Sequence, residues 1–420
     1  MPVPALGLVD DLLTISTCGY KTNLMNQFIN TKTGMKRLQF GTSKCVKMHV
    51  GKTCNPTLCR DLFVGGWKEE VITDPVTGKC SKSESFEGPV KMGVKEEQMY
   101  LGDLISANGK HASNVQLRKN KGLGAINSIM QILKSTYFGK FYFEVALVLR
   151  ESLFLSSLLL NSEAWVNLTD QDIRKLEQSD EILLSRILDC ETNTSNTFKY
   201  LKLGIYPLRY EIIKRKTLFL QYILQQDQKS MLYQIFDATC QNPVKNDFVQ
   251  TCKKYLDILK IDLSFEDIKN LSKWKFKKLV KEKTREAAFE FLIKEQNKPG
   301  RNGKVPKISC IKYEKLELQE YLHEENKNTK ISQFIFKARC KTLEIKTHKK
   351  WKFEDKICTG CKLREETGDE VLSCEGFGET LLENQPKYEW FYSNEVQKMI
   401  DCAKVMIQKL KKREKLIENG

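Results

Sequence analysis

Histidine is scarce in this sequence: four scattered residues in 420 leave few candidates for a general base. No glycine-rich phosphate loop, G-x-S-x-G or H-E-x-x-H occurs, so the enzyme classes that those motifs serve have no support. Apolar runs are short. The most apolar, Ser152 to Ser162, has 11 uncharged residues between Glu151 and Glu163, whereas a bilayer span needs about 20. It reads as a core helix, and no membrane partner is expected. No secretory leader is expected either: Met1 to Leu13 has no basic start and carries Asp10 and Asp11 where the apolar core would lie. The 14 cysteines, spread along the chain, are therefore expected to be reduced thiols of an intracellular protein, cytoplasmic, nuclear or both. Internal repeats and low-complexity tracts are absent as well.

What is present is enough to fold. A hydrophobic fraction of 41% with 10% aromatics over 420 residues suggests two or three domains with buried cores. The charge is lopsided, 69 Lys and Arg against 53 Asp and Glu, or +16. Such a surplus favours a polyanionic partner, because each neutralised phosphate releases counterions. A surface charged only for solubility is the alternative.

The patterning predicts an α+β chain, mainly α. Leu6 to Ile15 is an apolar run broken by two aspartates and reads as a β-hairpin. A helix with Leu24, Phe28 and Met35 on one face and strands at Lys36 to Phe40 and Cys45 to Val50 should follow. Residues 51 to 110 are punctuated by Gly65-Gly66, Pro75 and Gly88-Pro89 and read mainly as loop, with a short strand at Gln98 to Ser106. From Asn114 onward the spacing is helical: Ile126, Ile129, Met130 and Leu133 share a face. Ile173, Leu176, Leu183 and Ile187 share another, behind Thr169 as N-cap.

Two adjacent acids in an apolar run are costly unless a cation binds them, and on a tight hairpin they could hold a divalent ion for phosphoryl transfer. A bare Asp-Asp is weak evidence for this, and taken alone it reads as an ordinary turn. The surroundings add an ordered set: Leu8-Val9-Asp10-Asp11-Leu12-Leu13, then Leu38-Gln39-Phe40 and Ser43-Lys44-Cys45, then Tyr100-Leu101-Gly102-Asp103 and the basic helical block. This succession resembles the C-terminal half of the reverse transcriptases of non-LTR retrotransposons, over about residues 5 to 225 and more loosely beyond.

The resemblance implies a partial polymerase palm (β-hairpin, helix, strands) over 1–110, a thumb-like helical domain over 111–225 and a basic helical region over 226–297. A linker at 298–304, a helical region over 305–350, a zinc-knuckle-like segment over 351–380 and a basic C-terminal helix over 381–420 complete the organisation. Asp10 would ligate catalytic magnesium with Asp11 beside it in the hairpin. Lys44 would lie near the phosphates of the incoming nucleotide, and Tyr100, Leu101 and Gly102 near the primer end. RNA, RNA–DNA duplex and a DNA target are the implied partners. Two-metal chemistry needs a further carboxylate from an earlier palm strand, and nine residues precede Asp10. The expectation is a fragment whose parent performs RNA-templated DNA synthesis and which does not polymerise alone. A non-enzymatic nucleic-acid-binding protein derived from such an element is the competing reading.

Cys358-Thr-Gly-Cys361, followed after 12 residues by Cys374, has the C-x2-C spacing and nearby third thiol that suit tetrahedral zinc. It resembles the Cys-Cys-His-Cys knuckle of many such retrotransposon proteins, with Asp369 or Glu370 in the place of the histidine; Cys340 and His348 are upstream reserves. A metal-free remnant is the alternative. A thioredoxin-like role finds no βαβ pattern, and the 46 residues after Cys374 are too few for a restriction-like nuclease domain. Lys273 to Arg301 holds ten basic and four acidic residues. It could lay Lys273, Lys275, Lys277 and Lys278 on phosphates while Trp274, Phe276, Phe289 and Phe291 pack inward, or it could be a solvated face. The run Lys409, Lys411, Lys412, Arg413 and Lys415 reads as a nuclear address or as a charged helix end suited to the macrodipole.

Overall fold

The apolar run at the start folds back on itself: β1 (Ala5–Leu8) pairs antiparallel with β2 (Asp11–Thr14), Leu8 standing opposite Asp11. The computed structural model describes the backbone of the strands before residue 95 and most of the chain from 95 to 418, side chains included. Val9 and Asp10, which connect the two strands, lie outside the described residues, as do Lys44, the expected helix around Leu24 and Met35, and the strand Lys36 to Phe40. Within the expected strand Cys45 to Val50, β3 (Val46–Lys47) forms and pairs in parallel with a strand near residue 93.

The stretch read as loop contains instead a long ladder. β4 (Phe63–Thr73) and β5 (Cys80–Lys91) pair antiparallel from Phe63↔Lys91 to Thr73↔Cys80. The register steps from Val64↔Val90 to Gly66↔Glu87, leaving Gly65 opposite Gly88 and Pro89. Gly65-Gly66 and Gly88-Pro89, which suggested turns, sit at a β-bulge, where a missing N–H and a bent backbone are tolerated. β6 (Gly93–Val94) is the partner of β3. The single strand expected at Gln98 to Ser106 is a hairpin of β7 (Glu97–Tyr100) and β8 (Asp103–Ser106), with Gly102 at φ 85° in its turn. α1 (Ala112–Ser135) pins this hairpin. Asn114 accepts from the Leu104 amide at 3.2 Å and donates to Asp103 at 3.1 Å, and Ser113 donates to Glu97 at 2.5 Å.

Two units divide the chain: residues 1–117 with 227–238, and residues 118–226 with 239–420. The second is helical. Ile126, Ile129 and Leu133 of α1 are buried as the 3-4 spacing requires. α2 (Tyr142–Leu149) runs into a π-helical turn, Arg150–Phe154, and then α3 (Leu155–Leu158), so the expected core helix at 152–162 is interrupted. The wider turn accompanies an inward Arg150, whose Nε and Nη2 each reach an Asp180 oxygen at 2.7 Å. Tyr200 donates to the same carboxylate at 3.2 Å. α4 (Asp170–Ile187) opens with the expected Thr169 cap, closed into a capping box by Asp172.

α5 (Asn196–Leu203) ends on Gly204 at φ 67°, where a Cβ would fall 2.1 Å from the Glu317 carbonyl carbon. α6 (Leu208–Leu224) follows Pro207, and α7 (Met231–Gln241), α8 (Phe248–Ile258) and α9 (Phe265–Asn270) lead to α10 (Lys273–Gln296). α10 packs on α5 and α6, so the basic segment belongs to the same unit as the helices before it. Of the expected linker at 298–304, all but Lys298 lies outside the described residues. α11 (Thr329–Arg339) is tied to the end of α4: Gln333 donates to the Ile187 carbonyl at 2.8 Å and Lys337 pairs with Asp189 at 2.6 Å. α12 (Gly368–Ser373) and α13 (Val396–Glu418) close the unit, α13 packing on both α11 and α12. The fold class is thus α+β, mainly α. Among the described residues no helix is long and apolar enough to cross a membrane.

Candidate metal centre

Cys358 and Cys361 lie in a tight loop closed by the bridge Ile357↔Glu365. The Cys358 amide donates to the Arg364 carbonyl at 2.7 Å, the Lys362 amide donates to the Cys358 carbonyl at 2.9 Å, and Lys362 turns the chain at φ 57°. Opposite this loop, Thr367 caps α12 by accepting from the Glu370 amide at 3.1 Å. Glu370 in this short helix and Cys374, its C-cap, then fall four residues apart and both reach the cysteine loop. The Cys374 amide donates back to the Glu370 carbonyl at 2.8 Å and ends the turn.

Four donors converge. Cys358 Sγ and Cys374 Sγ are 3.7 Å apart, Cys361 Sγ and Glu370 Oε1 are 3.2 Å apart, and the ligand atoms of all four residues lie within 4.8 Å of one another. Zinc with Zn–S bonds of about 2.3 Å in tetrahedral array sets sulfurs roughly 3.8 Å apart. The Cys3Glu cluster could therefore hold a metal such as zinc. Burial pushes the Cys358 thiol up to about 12, against the pull of the Cys361 and Gly360 amides that donate to it. Without a cation the sulfur stays protonated, whereas a divalent ion supplies the charge that favours the thiolate.

The structure separates the two candidate carboxylates. Asp369 is turned away and accepts from the Tyr388 amide at 2.9 Å, so Glu370 is the fourth donor. The reserves are not recruited. His348 packs edge-on against Tyr388 at 5.8 Å, and burial pushes its imidazole down to about 4. Cys340 lies elsewhere, its thiol pushed up to about 12 by burial.

Two glycines bring the halves together. A Cβ on Gly376 would lie 2.5 Å from the Gly360 carbonyl carbon, and one on Gly360 would lie 2.9 Å from the Phe377 ring and 3.0 Å from Cys374 Sγ. Only backbone fits between them.

α13 buttresses the loop. Lys409 donates to the Leu372 and Cys374 carbonyls at 2.6 and 3.2 Å, satisfying the end of α12. Arg413 pairs with buried Glu366 at 2.9 Å. Glu366 also accepts from the Thr359 amide at 3.2 Å, its hydroxyl at 3.0 Å and the Lys346 amide at 3.0 Å. The terminal basic run is therefore not uniformly a solvated tail or an exposed address: Lys411, Lys412 and Lys415 are exposed, but Lys409 and Arg413 are buried in this contact. Their signal was the spacing Cys402, Met406, Lys409, Arg413, which continues the apolar face of α13.

The other expected site residues are not assembled by what is described. Asp10, Lys44 and Leu101 lie outside the described residues, and Asp11 opens β2. Tyr100 ends β7 opposite Asp103, with Gly102 in the turn. Lys273, Lys275, Lys277 and Lys278 are exposed on the first turns of α10. Of the aromatics expected to pack inward there, Phe276 is fully buried, but Trp274 is 69% exposed, which corrects that expectation. Comparison of the chain with protein-family models, with curated proteins and with solved structures gives no match in any of the three.

Proposed function

We propose that this chain is the C-terminal portion of a non-LTR retrotransposon reverse transcriptase and that its described helical part holds nucleic acid. The observation that carries the reading is the Cys3Glu knuckle, built into a helical unit of a chain with a net charge of +16. A closed four-ligand site of this kind organises structure rather than catalysing, since it keeps no open coordination position. The parent reaction is RNA-templated DNA synthesis, with RNA, RNA–DNA duplex and a DNA target as partners. In it Asp10 and Asp11 at the β1–β2 hairpin hold magnesium, Lys44 faces nucleotide phosphates, and Tyr100, Leu101 and Gly102 lie near the primer end. The helices over 111–225 serve as the thumb, gripping a duplex by backbone and shape.

A second reading, a non-enzymatic nucleic-acid-binding protein derived from such an element, is favoured by the closed character of the metal cluster and needs nothing from the hairpin acids. One set of measurements separates the two. The purified 420-residue chain should bind RNA–DNA duplex at about micromolar Kd, weakening steeply with salt and with little sequence preference. It should not extend a primer on an RNA template with magnesium. Binding that is absent or indifferent to salt overturns the nucleic-acid reading. Extension that disappears in Asp10→Ala overturns the inactive-fragment and non-enzymatic readings together.

A further inference from the structure

We infer that the first turns of α10 form a stacking platform for single-stranded nucleic acid, in which the Trp274 indole takes an unpaired base and the surrounding lysines take its phosphates. This rests on the nucleic-acid reading above and adds to it a contact and a strand preference.

The helix begins Lys-Trp-Lys-Phe-Lys-Lys-Leu-Val-Lys, five lysines before Glu282, its first acid. At 100° per residue, Lys277, Lys278 and Lys281 fall on the same face as Trp274, with Lys273 and Lys275 at its flanks. Phe276 and Val280 take the opposite face and are fully buried, so helix phase holds the indole outward. Trp274 is 69% exposed. Among the described residues no acidic side chain pairs with the ammonium of Lys273, Lys275, Lys277 or Lys281. Lys278 reaches Glu282 only at 3.9 Å, an exposed pair of little worth. Its ammonium also stands 5.6 Å from the Trp274 ring centre, which biases the orientation of the indole.

Folding does not explain this arrangement. The N-terminal end of a helix carries the positive end of the macrodipole and favours acids, yet the first turn here has none. Clustered lysines therefore oppose the dipole and one another, and an exposed tryptophan contributes little to the core. Both costs are reversed by a polyanion with flat apolar rings. Single strands present unpaired base faces, which a duplex keeps stacked, and base–aromatic stacking is tolerant of sequence. An acidic peptide would satisfy the lysines but leave the indole without a planar partner.

The test uses the full chain, a short labelled oligouridylate and an abasic strand of equal length. Trp274→Ala should weaken oligouridylate binding about tenfold and leave abasic binding unchanged, while Trp274→Phe recovers most of the loss. Replacing Lys277, Lys278 and Lys281 with Gln should weaken both strands and flatten the salt dependence. Circular dichroism should be unchanged throughout, as expected for exposed side chains. Trp274→Ala that binds oligouridylate like the parent, while the parent still binds RNA–DNA duplex, overturns this inference and leaves the broader reading intact. A parent chain that binds neither strand nor duplex overturns both. Loss of binding to phosphatidylserine vesicles in Trp274→Ala, with oligouridylate binding unaltered, assigns the face to a membrane surface and overturns the platform.

Discussion

Arg413 Nη2 lies 2.9 Å from Glu366 Oε1, with 4% and 0% of the two side chains exposed, and the pair joins the last helix to the cysteine loop. Removing one partner of a buried pair leaves the other desolvated and uncompensated, at a cost of about 3–5 kcal/mol. Arg413→Ala should lower the stability of the second unit by that order in urea unfolding. The double variant with Glu366→Gln should cost less than the sum of the single changes. Strict additivity would show that the two charges are not coupled.

Metal analysis of the purified chain should find about one zinc per molecule, lost when Cys358 and Cys361 are both changed to Ser. The two neighbouring acids should behave differently. Glu370→Gln should lower zinc affinity by more than about 100-fold, beyond the effect of losing an outer hydrogen bond, whereas Asp369→Asn should retain the metal. Equal losses from both would contradict the placement of Asp369 on the Tyr388 amide.

Gly376→Ala tests the packing beneath the metal site. The added methyl would stand 2.5 Å from the Gly360 carbonyl carbon, and backbone cannot yield as a side chain can. The loop should open, with weaker zinc binding and faster amide exchange over 358–377 but an unchanged spectrum from the remaining helices. An alanine variant that loads zinc like the parent would refute this contact.

Acid should destabilise the second unit through His348. Burial lowers its pKa from 6.5 to about 4, so the unfolded chain binds the proton first as pH falls. The stability associated with the neutral ring is complete above pH 6.5 and is lost progressively as pH falls from there through about 4, at most about 1.4 kcal/mol per pH unit. His348→Gln should flatten the stability–pH curve in that window. A profile identical to the parent would show that the ring titrates normally.

Much of this was legible in the residues, for particular reasons. The Thr169 cap and the face Leu176, Leu183, Ile187 were readable because helix start signals and 3-4 spacing are local. The cysteines were readable because C-x2-C is a chemical spacing. The choice between Asp369 and Glu370 was less open than it looked. Glu370 stands four residues, about one helical turn, before Cys374 at the end of the same helix, a spacing signal that a list of ligand types misses. The β4–β5 ladder was hidden because paired glycines mark a bulge as readily as a turn. The outward Trp274 was missed because the aromatics were read by type and not by phase: Trp274 and Phe276 are two residues, or about 200°, apart on the helix, so when Phe276 is buried Trp274 faces outward.

The buttress by α13 also orders events during synthesis. Cys358, Cys361, Glu370 and Cys374 leave the ribosome before Lys409 and Arg413 do. Until those side chains arrive, the Leu372 and Cys374 carbonyls and the Glu366 carboxylate lack their cationic partners. The four donors are thus synthesised before the helix whose side chains buttress their loop. A metal ion offered during synthesis could therefore meet the donors before the contacts of Lys409 and Arg413 form.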